Sequence, residues 1–212
     1  MTVARPRTYW HPILLVSFVA PLLGCSSSSS SNGGTGGSGS GGSGGAGGGG
    51  ALDLSGFGQS YKLTDNEVSG WVQAAAADSF SLYDSTNLWE KIDGPADGYI
   101  SRGMKFAYYE TLDGPGDLLN CVLVAMAFDT AANAKSMVDY KVDLQGATTP
   151  IPGYDTSVAL GSEALTGLTA YASFGALYLE VGVDGYGFPP DLDQASNDAA
   201  AFLKAMEAKP KL

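Results

Sequence analysis

The sequence predicts an α+β domain, a single mainly antiparallel sheet with several packing helices, and three observations carry that expectation. From Ala51 to Leu212 the composition changes abruptly to a mixture rich in Leu, Val, Ala, Tyr and Phe, at a length suited to one domain with its own core. Leu119 to Phe128 is apolar at both alternating positions, while Leu177, Leu179, Val181 and Val183 alternate against Tyr178, Glu180 and Gly182 just after Gly175. The first pattern fits a strand covered on both faces and the second a strand following a tight hairpin. Leu192, Ala195, Ala199, Phe202, Leu203 and Met206 then recur as one helical stripe.

The elements follow in chain order. Arg5 and Arg7 precede the apolar run Pro12 to Leu23, the pattern of an export signal too short to remain as a spanning helix. That run ends in Leu22, Leu23, Gly24 and Cys25, which resembles the lipobox of bacterial lipoproteins. The resemblance implies that residues 1–24 are a signal peptide, that Cys25 carries the lipid, palmitate included, and that Cys25 holds the chain to a membrane in the cell envelope. With Ser26 rather than Asp after the Cys, it further implies the outer membrane, facing either the periplasm or the exterior. Ser26 to Gly50 holds 13 Gly, 9 Ser, one Asn, one Thr and one Ala. Such a stretch buries nothing, so residues 25–50 are expected to be a lipidated Cys plus a flexible tether with a reach of about 25–30 Å.

Within residues 51–212, Thr64 and Glu67 form a capping-box pattern, and Val68, Trp71, Val72 and Ala75 at helical spacing predict a helix through Ala77. A second helical stretch is expected near Asn87 with Leu88, Trp89 and Ile92, interrupted at Gly94-Pro95. Lys105 to Thr111 and Leu119 to Phe128 predict strands either side of Asp113-Gly114-Pro115-Gly116, and Ala131 to Val142 predicts a helix after Asp129 and Thr130. Ala134, Met137, Val138 and the stem of Lys141 share one side of that helix. A Pro/Gly loop, TTPIPG, precedes expected strands at Ser157–Leu160, Leu168–Phe174 and Ala176–Val183, and a final helix is expected from Asp191 to Ala208.

Charge and residue usage exclude whole classes of chemistry. The chain has 11 basic and 22 acidic residues; without residues 1–24 it loses Arg5, Arg7 and His11, leaving 9 basic residues and no histidine. An imidazole-free chain has no Ser-His-Asp or Cys-His nucleophile and no imidazole metal ligand. Nine scattered cations give no basic stripe for nucleic acid, so no nucleic-acid partner is expected. Cys121 lies in LLNCVLVAMAF with no Lys or Arg within ten residues, which predicts a buried, inert thiol. With Cys25 acylated, no intramolecular disulfide can form.

Asn87 to Gly103, NLWEKIDGPADGYISRG, resembles the signature of an uncharacterised family of bacterial secreted and lipoprotein domains, N-L-[YW]-E-x-I-[ND]-G-x-A-[DE]-x-Y before a Gly and a strand. The resemblance extends loosely to Asp129–Tyr140, to Gly161–Ala164 and to the last strand and helix, and it implies export and fold rather than any activity.

The remaining candidate chemistry is acidic and aromatic. DGPAD (Asp93 to Asp97) and DGPGD (Asp113 to Asp117) repeat a D-G-P-x-D pattern, and a third acidic loop holds Asp184, Asp191 and Asp193. Turn chemistry alone accounts for Asp-Gly-Pro, yet Asp93, Asp97, Asp113 and Asp117 also offer the oxygen ligands that Ca²⁺ prefers. No other cofactor is expected. Asp93 with Asp97, or Glu90 with Asp93, are possible acid and base pairs for a His-independent, glycosidase-like hydrolase. Tyr83, Trp89, Tyr99, Tyr108, Tyr109, Tyr171, Tyr178 and Tyr186 offer aromatic surface, with Tyr186 and Phe188 in GYGFPP expected to be exposed. Together these residues predict a non-enzymatic, lipid-anchored envelope domain that binds an envelope protein, a polysaccharide or a small ligand, with the paired-carboxylate hydrolase as the alternative.

Overall fold

The computed structural model describes residues 53–76, 79–92, 96–116 and 118–210; the expected signal peptide, Cys25, the expected Gly/Ser tether, Asp93 and Asp117 lie outside them. The described chain is an α+β domain: an antiparallel sheet of eight strands with four helices. In order come α1 (Leu54–Tyr61), β1 (Val72–Gln73), β2 (Phe80–Asp84), a single 3₁₀ turn (Leu88–Glu90), α2 (Ala96–Ile100), β3 (Met104–Asp113) and β4 (Asn120–Phe128). Then follow α3 (Ala131–Gln145), β5 (Thr149–Pro150), β6 (Ala159–Glu163), β7 (Gly167–Phe174), β8 (Leu177–Asp184) and α4 (Leu192–Glu207). The sheet runs β1-β3-β4-β8-β7-β6-β5, with β2 also paired to β3.

β4 shows why the apolar run at 120–128 is continuous. Cys121, Leu123, Ala125 and Ala127 enter one core layer with Phe57, Trp71, Phe202 and Met206, whereas Val124, Met126 and Phe128 enter the opposite layer with Tyr99, Met137 and Tyr178. α1 and α4 cover the first face; α2 and α3 cover the second. Three of the four helices are started by a side chain. Asp53, Thr130 and Asp191 accept hydrogen bonds from the N–H groups of Gly56, Asn133 and Gln194, which satisfies donors left free at the first turns of α1, α3 and α4. The free thiol of Cys121 is fully buried, and burial holds it well above the ordinary thiol range. Among the described residues no helix is long and apolar enough to cross a membrane.

The helix expected over residues 64–77 does not form. The capping-box bond does, since the Thr64 N–H donates to Glu67 Oε2 at 3.0 Å. Asn66 nevertheless adopts φ +63°, which no α-helix accommodates, and its N–H donates to the Trp71 carbonyl at 2.7 Å, folding the chain back into β1. Val68 and Trp71 still reach the core, where Trp71 meets Phe202 edge-on at 5.0 Å, while Val72 faces outward. α1 and β2 arise from segments whose local patterning is weaker, and TTPIPG contributes β5 rather than loop alone. The strand expected at 157–160 is displaced to β6, two residues further on.

Phe202 is fully buried against Trp71, so Phe202→Ala is expected to lower the free energy of unfolding by about 3–5 kcal/mol. Chemical denaturation monitored by circular dichroism reads this directly. Leu165→Ala, at a side chain 72% exposed, is expected to stay within about 0.5 kcal/mol of the parent.

Candidate functional site

Antiparallel pairing decides which loops meet. Asp113 pairs with Asn120, Asn120 with Asp184 and Asp184 with Gly167, so β3, β4, β8 and β7 are level at one end of the sheet. The β3–β4 turn, the β6–β7 turn and the β8–α4 loop therefore adjoin one another there. Two glycines permit the close approach. A Cβ on Gly167 would lie 2.0 Å from the Val183 carbonyl oxygen, and one on Gly185, which has φ +96°, would lie 2.2 Å from that of Leu118.

Polar contacts then fasten the loops together. Thr166 Oγ1 hydrogen-bonds Asp184 Oδ1, the Tyr186 N–H donates to the Thr166 carbonyl at 2.8 Å, and the Asp191 N–H donates to the Tyr186 carbonyl at 3.1 Å. The Tyr186 hydroxyl donates to Asp198 Oδ2 on α4 at 2.7 Å. Between the loops lies a shallow depression of about 430 Å³ lined by Pro115, Leu118, Leu119, Tyr186, Asp191 and Gln194. Leu118, Leu165 and Phe188 project from the three loops with 77, 72 and 78% of their surface exposed. Asp113, Glu163, Asp184, Asp191 and Asp193 belong to the same segments, in which no Lys or Arg occurs.

This arrangement brings together the second and third acidic loops and separates the first. Asp97 is exposed on α2, near the Met104 end of β3, whereas Asp113 ends that strand. Ten residues of strand at 3.3 Å each put roughly 30 Å between the two ends, so one Ca²⁺ ion cannot be shared by Asp97 and Asp113. Asp93 and Asp117, the other expected ligands, lie outside the described residues. Among the described residues, no three His, Cys, Asp or Glu side chains gather as a metal site. For the hydrolase pairs, Glu90 and Asp97 are both exposed, and Asp93 again lies outside the described residues.

The aromatic candidates divide sharply. Trp89 is 60% exposed, with its indole N–H donating to the Thr86 carbonyl at 3.0 Å, and Phe188 is exposed as expected. Tyr186 is not: its ring is buried and its hydroxyl engaged by Asp198, whose carboxylate adds to the burial that holds the phenol above its ordinary range. Tyr99 is likewise a core residue, 6.3 Å from Tyr178. Tyr108, Tyr109, Tyr171 and Tyr178 are also buried; the alternation that exposes one face of a half-covered sheet does not operate where helices cover both.

Sequence reasoning did not single out two partly or fully buried carboxylates. Glu180 accepts from the Tyr178 hydroxyl at 2.9 Å and pairs with Lys141 at 3.2 Å, beside Tyr99 and Tyr171, whose phenols are raised chiefly by burial with the Glu180 charge adding. With both partners satisfied, this group holds α3 to the sheet. Glu110 differs: it is 1% exposed, its Oε2 accepts from the Leu63 N–H at 3.1 Å, and its Oε1 has no partner among the described residues. Burial pushes its carboxyl up to about 7, against the opposing pull of the Leu63 N–H, Lys62 and Lys209.

Glu110 makes stability depend on pH. The unfolded chain releases this proton near 4.5 and the folded domain near 7, so between those values the folded state binds more protons and stability falls as pH rises. A loss on the order of 3 kcal/mol is expected across that window, measured as a falling denaturation midpoint, and Glu110→Gln is expected to flatten it. At the loop cluster, Tyr186→Phe is expected to cost about 1–2 kcal/mol and to raise amide exchange at residues 185–191.

Neither a protein-family model nor a curated protein matches the sequence. Among solved structures, the extracellular domain of PknH from Mycobacterium tuberculosis is similar at a TM-score of 0.38 and 14% sequence identity, the alignment covering 64% of this chain and 81% of that one.

Proposed function

We propose that this protein is a non-enzymatic, lipid-anchored domain of the cell envelope that binds another envelope component through the loop cluster at the Asp113 end of its sheet. The observation that carries the reading is the exposure of Leu118, Leu165 and Phe188 on three adjoining loops that hydrogen bonds and close glycine packing hold in place. Large apolar side chains gathered at one end lower their free energy by covering one another's surface with a partner, and a preorganised loop loses little entropy in doing so. The lipobox ending in Cys25 supports acylation there, and the Gly/Ser composition of residues 26–50 supports a tether that presents the domain away from the membrane surface. Ser26 supports sorting to the outer membrane.

Site-specific photo-crosslinking in cells tests the binding end. A benzoylphenylalanine at position 188 is expected to give a discrete adduct, and one at position 135, on the exposed side of α3, none; equal labelling from both positions refutes the reading. For the anchor, metabolic labelling with a palmitate analogue is expected to mark the full chain and to be lost on Cys25→Ser. An intact leader, or a free thiol at the processed start, in the mass spectrum of the native product overturns it.

A further inference from the structure

The charge around the exposed loop tips narrows the class of partner, an inference that rests on reading those loops as a binding end. Asp117 lies outside the described residues; the other five carboxylates of these segments have no Lys or Arg among them, and none takes part in an ion pair among the described residues. Two of them already serve the fold, Asp184 toward Thr166 and Asp191 as the cap of α4. Glu163 has one long contact, accepting from Thr149 Oγ1 at 3.5 Å, and the Asp113 and Asp193 carboxylates have no hydrogen-bond partner among the described residues. The cations Lys91, Arg102, Lys105 and Lys135 belong to the Met104 end, on or beside α2, the start of β3 and the start of α3.

We infer that the loop end docks a cationic protein segment, whose apolar side chains lie against Leu118, Leu165 and Phe188 and whose Lys or Arg side chains meet the surrounding carboxylates. Each half of the surface contributes something different. The apolar tips hold the complex, because desolvated anchors at the centre of an interface carry most of its energy. The carboxylates steer the encounter and reject acidic competitors, since rim charges act mainly on association rate and on partner choice. The same acidity disfavours an anionic lipid surface and a second copy of this chain docked by the same end, as like charges would face each other across either contact.

The test uses the purified full chain in zwitterionic nanodiscs, with empty nanodiscs as the reference, and a fluorescein-labelled peptide of alternating Lys and Leu. Fluorescence anisotropy is expected to show binding that weakens about tenfold between 50 and 500 mM salt, while the same peptide with Glu for Lys does not bind. Leu118→Ser with Phe188→Ser is expected to weaken binding about tenfold, and Asp113→Asn with Asp193→Asn to reduce the salt dependence. All four side chains lie outside the core, so thermal melts of both variants are expected to match the parent. Equal binding of the Glu peptide, indifference to both double substitutions, or equally tight binding to vesicles containing anionic lipid overturns the cationic partner. A concentration-dependent rise in mass that disappears with Leu118→Ser and Phe188→Ser overturns it in favour of a second copy. If the crosslink at position 188 forms while the Lys/Leu peptide fails to bind, the binding end stands and only its cationic partner falls.

Discussion

The register across β3, β4, β8 and β7 governs the rest of the molecule. With Asp113, Asn120, Asp184 and Gly167 level, three connections emerge side by side, and the residues nearest the strand ends must tolerate backbone-to-backbone contact. Gly167 and Gly185 meet that demand because neither carries a Cβ. A slip of one residue along β4 would turn Cys121 and Leu123 toward α3 and Val124 and Met126 toward α4, so the two core layers pin the register and the register places the loops.

The two faces of the sheet treat polar groups differently. On the α3 side, Glu180 is matched by the Lys141 ammonium and the Tyr178 hydroxyl. On the α4 side, Glu110 has one backbone donor and one bare oxygen, and burial makes it hold its proton to a higher pH than an ordinary carboxyl. A neutral carboxyl is the less costly state for an unmatched acid in an apolar layer.

Much of this architecture is legible in the sequence where the signal is periodic and local. The stripe of α4, the two-sided apolar run of β4 and the β7–β8 hairpin at Gly175 all follow from spacing, because each is set by which face must be covered. The 64–77 segment misleads for a physical reason. Its capping bonds are real, but Asn66 leaves the helical region before a first turn is complete, and β1 gains a partner in β3 that no local pattern reveals. α1 hides behind Gly56 and Gly58, poor helix formers whose cost is offset by burying Phe57 and Tyr61. At the candidate site, the acidity of the second and third loops is plain in the sequence, whereas their union, and the separation of Asp97 from Asp113, depends on the sheet. The contrast between Tyr186 and Phe188 is equally tertiary, since Asp198 on α4 decides which ring turns inward.

That contrast has an evolutionary corollary. Tyr186 and Phe188 stand two positions apart, one a rivet and the other a fingertip. Mutational drift at 188 leaves the scaffold untouched, so descendants of a common ancestor can exchange their binding preferences by altering the loop apex while retaining its base. The same division marks this loop as a place to graft a foreign recognition peptide onto the domain.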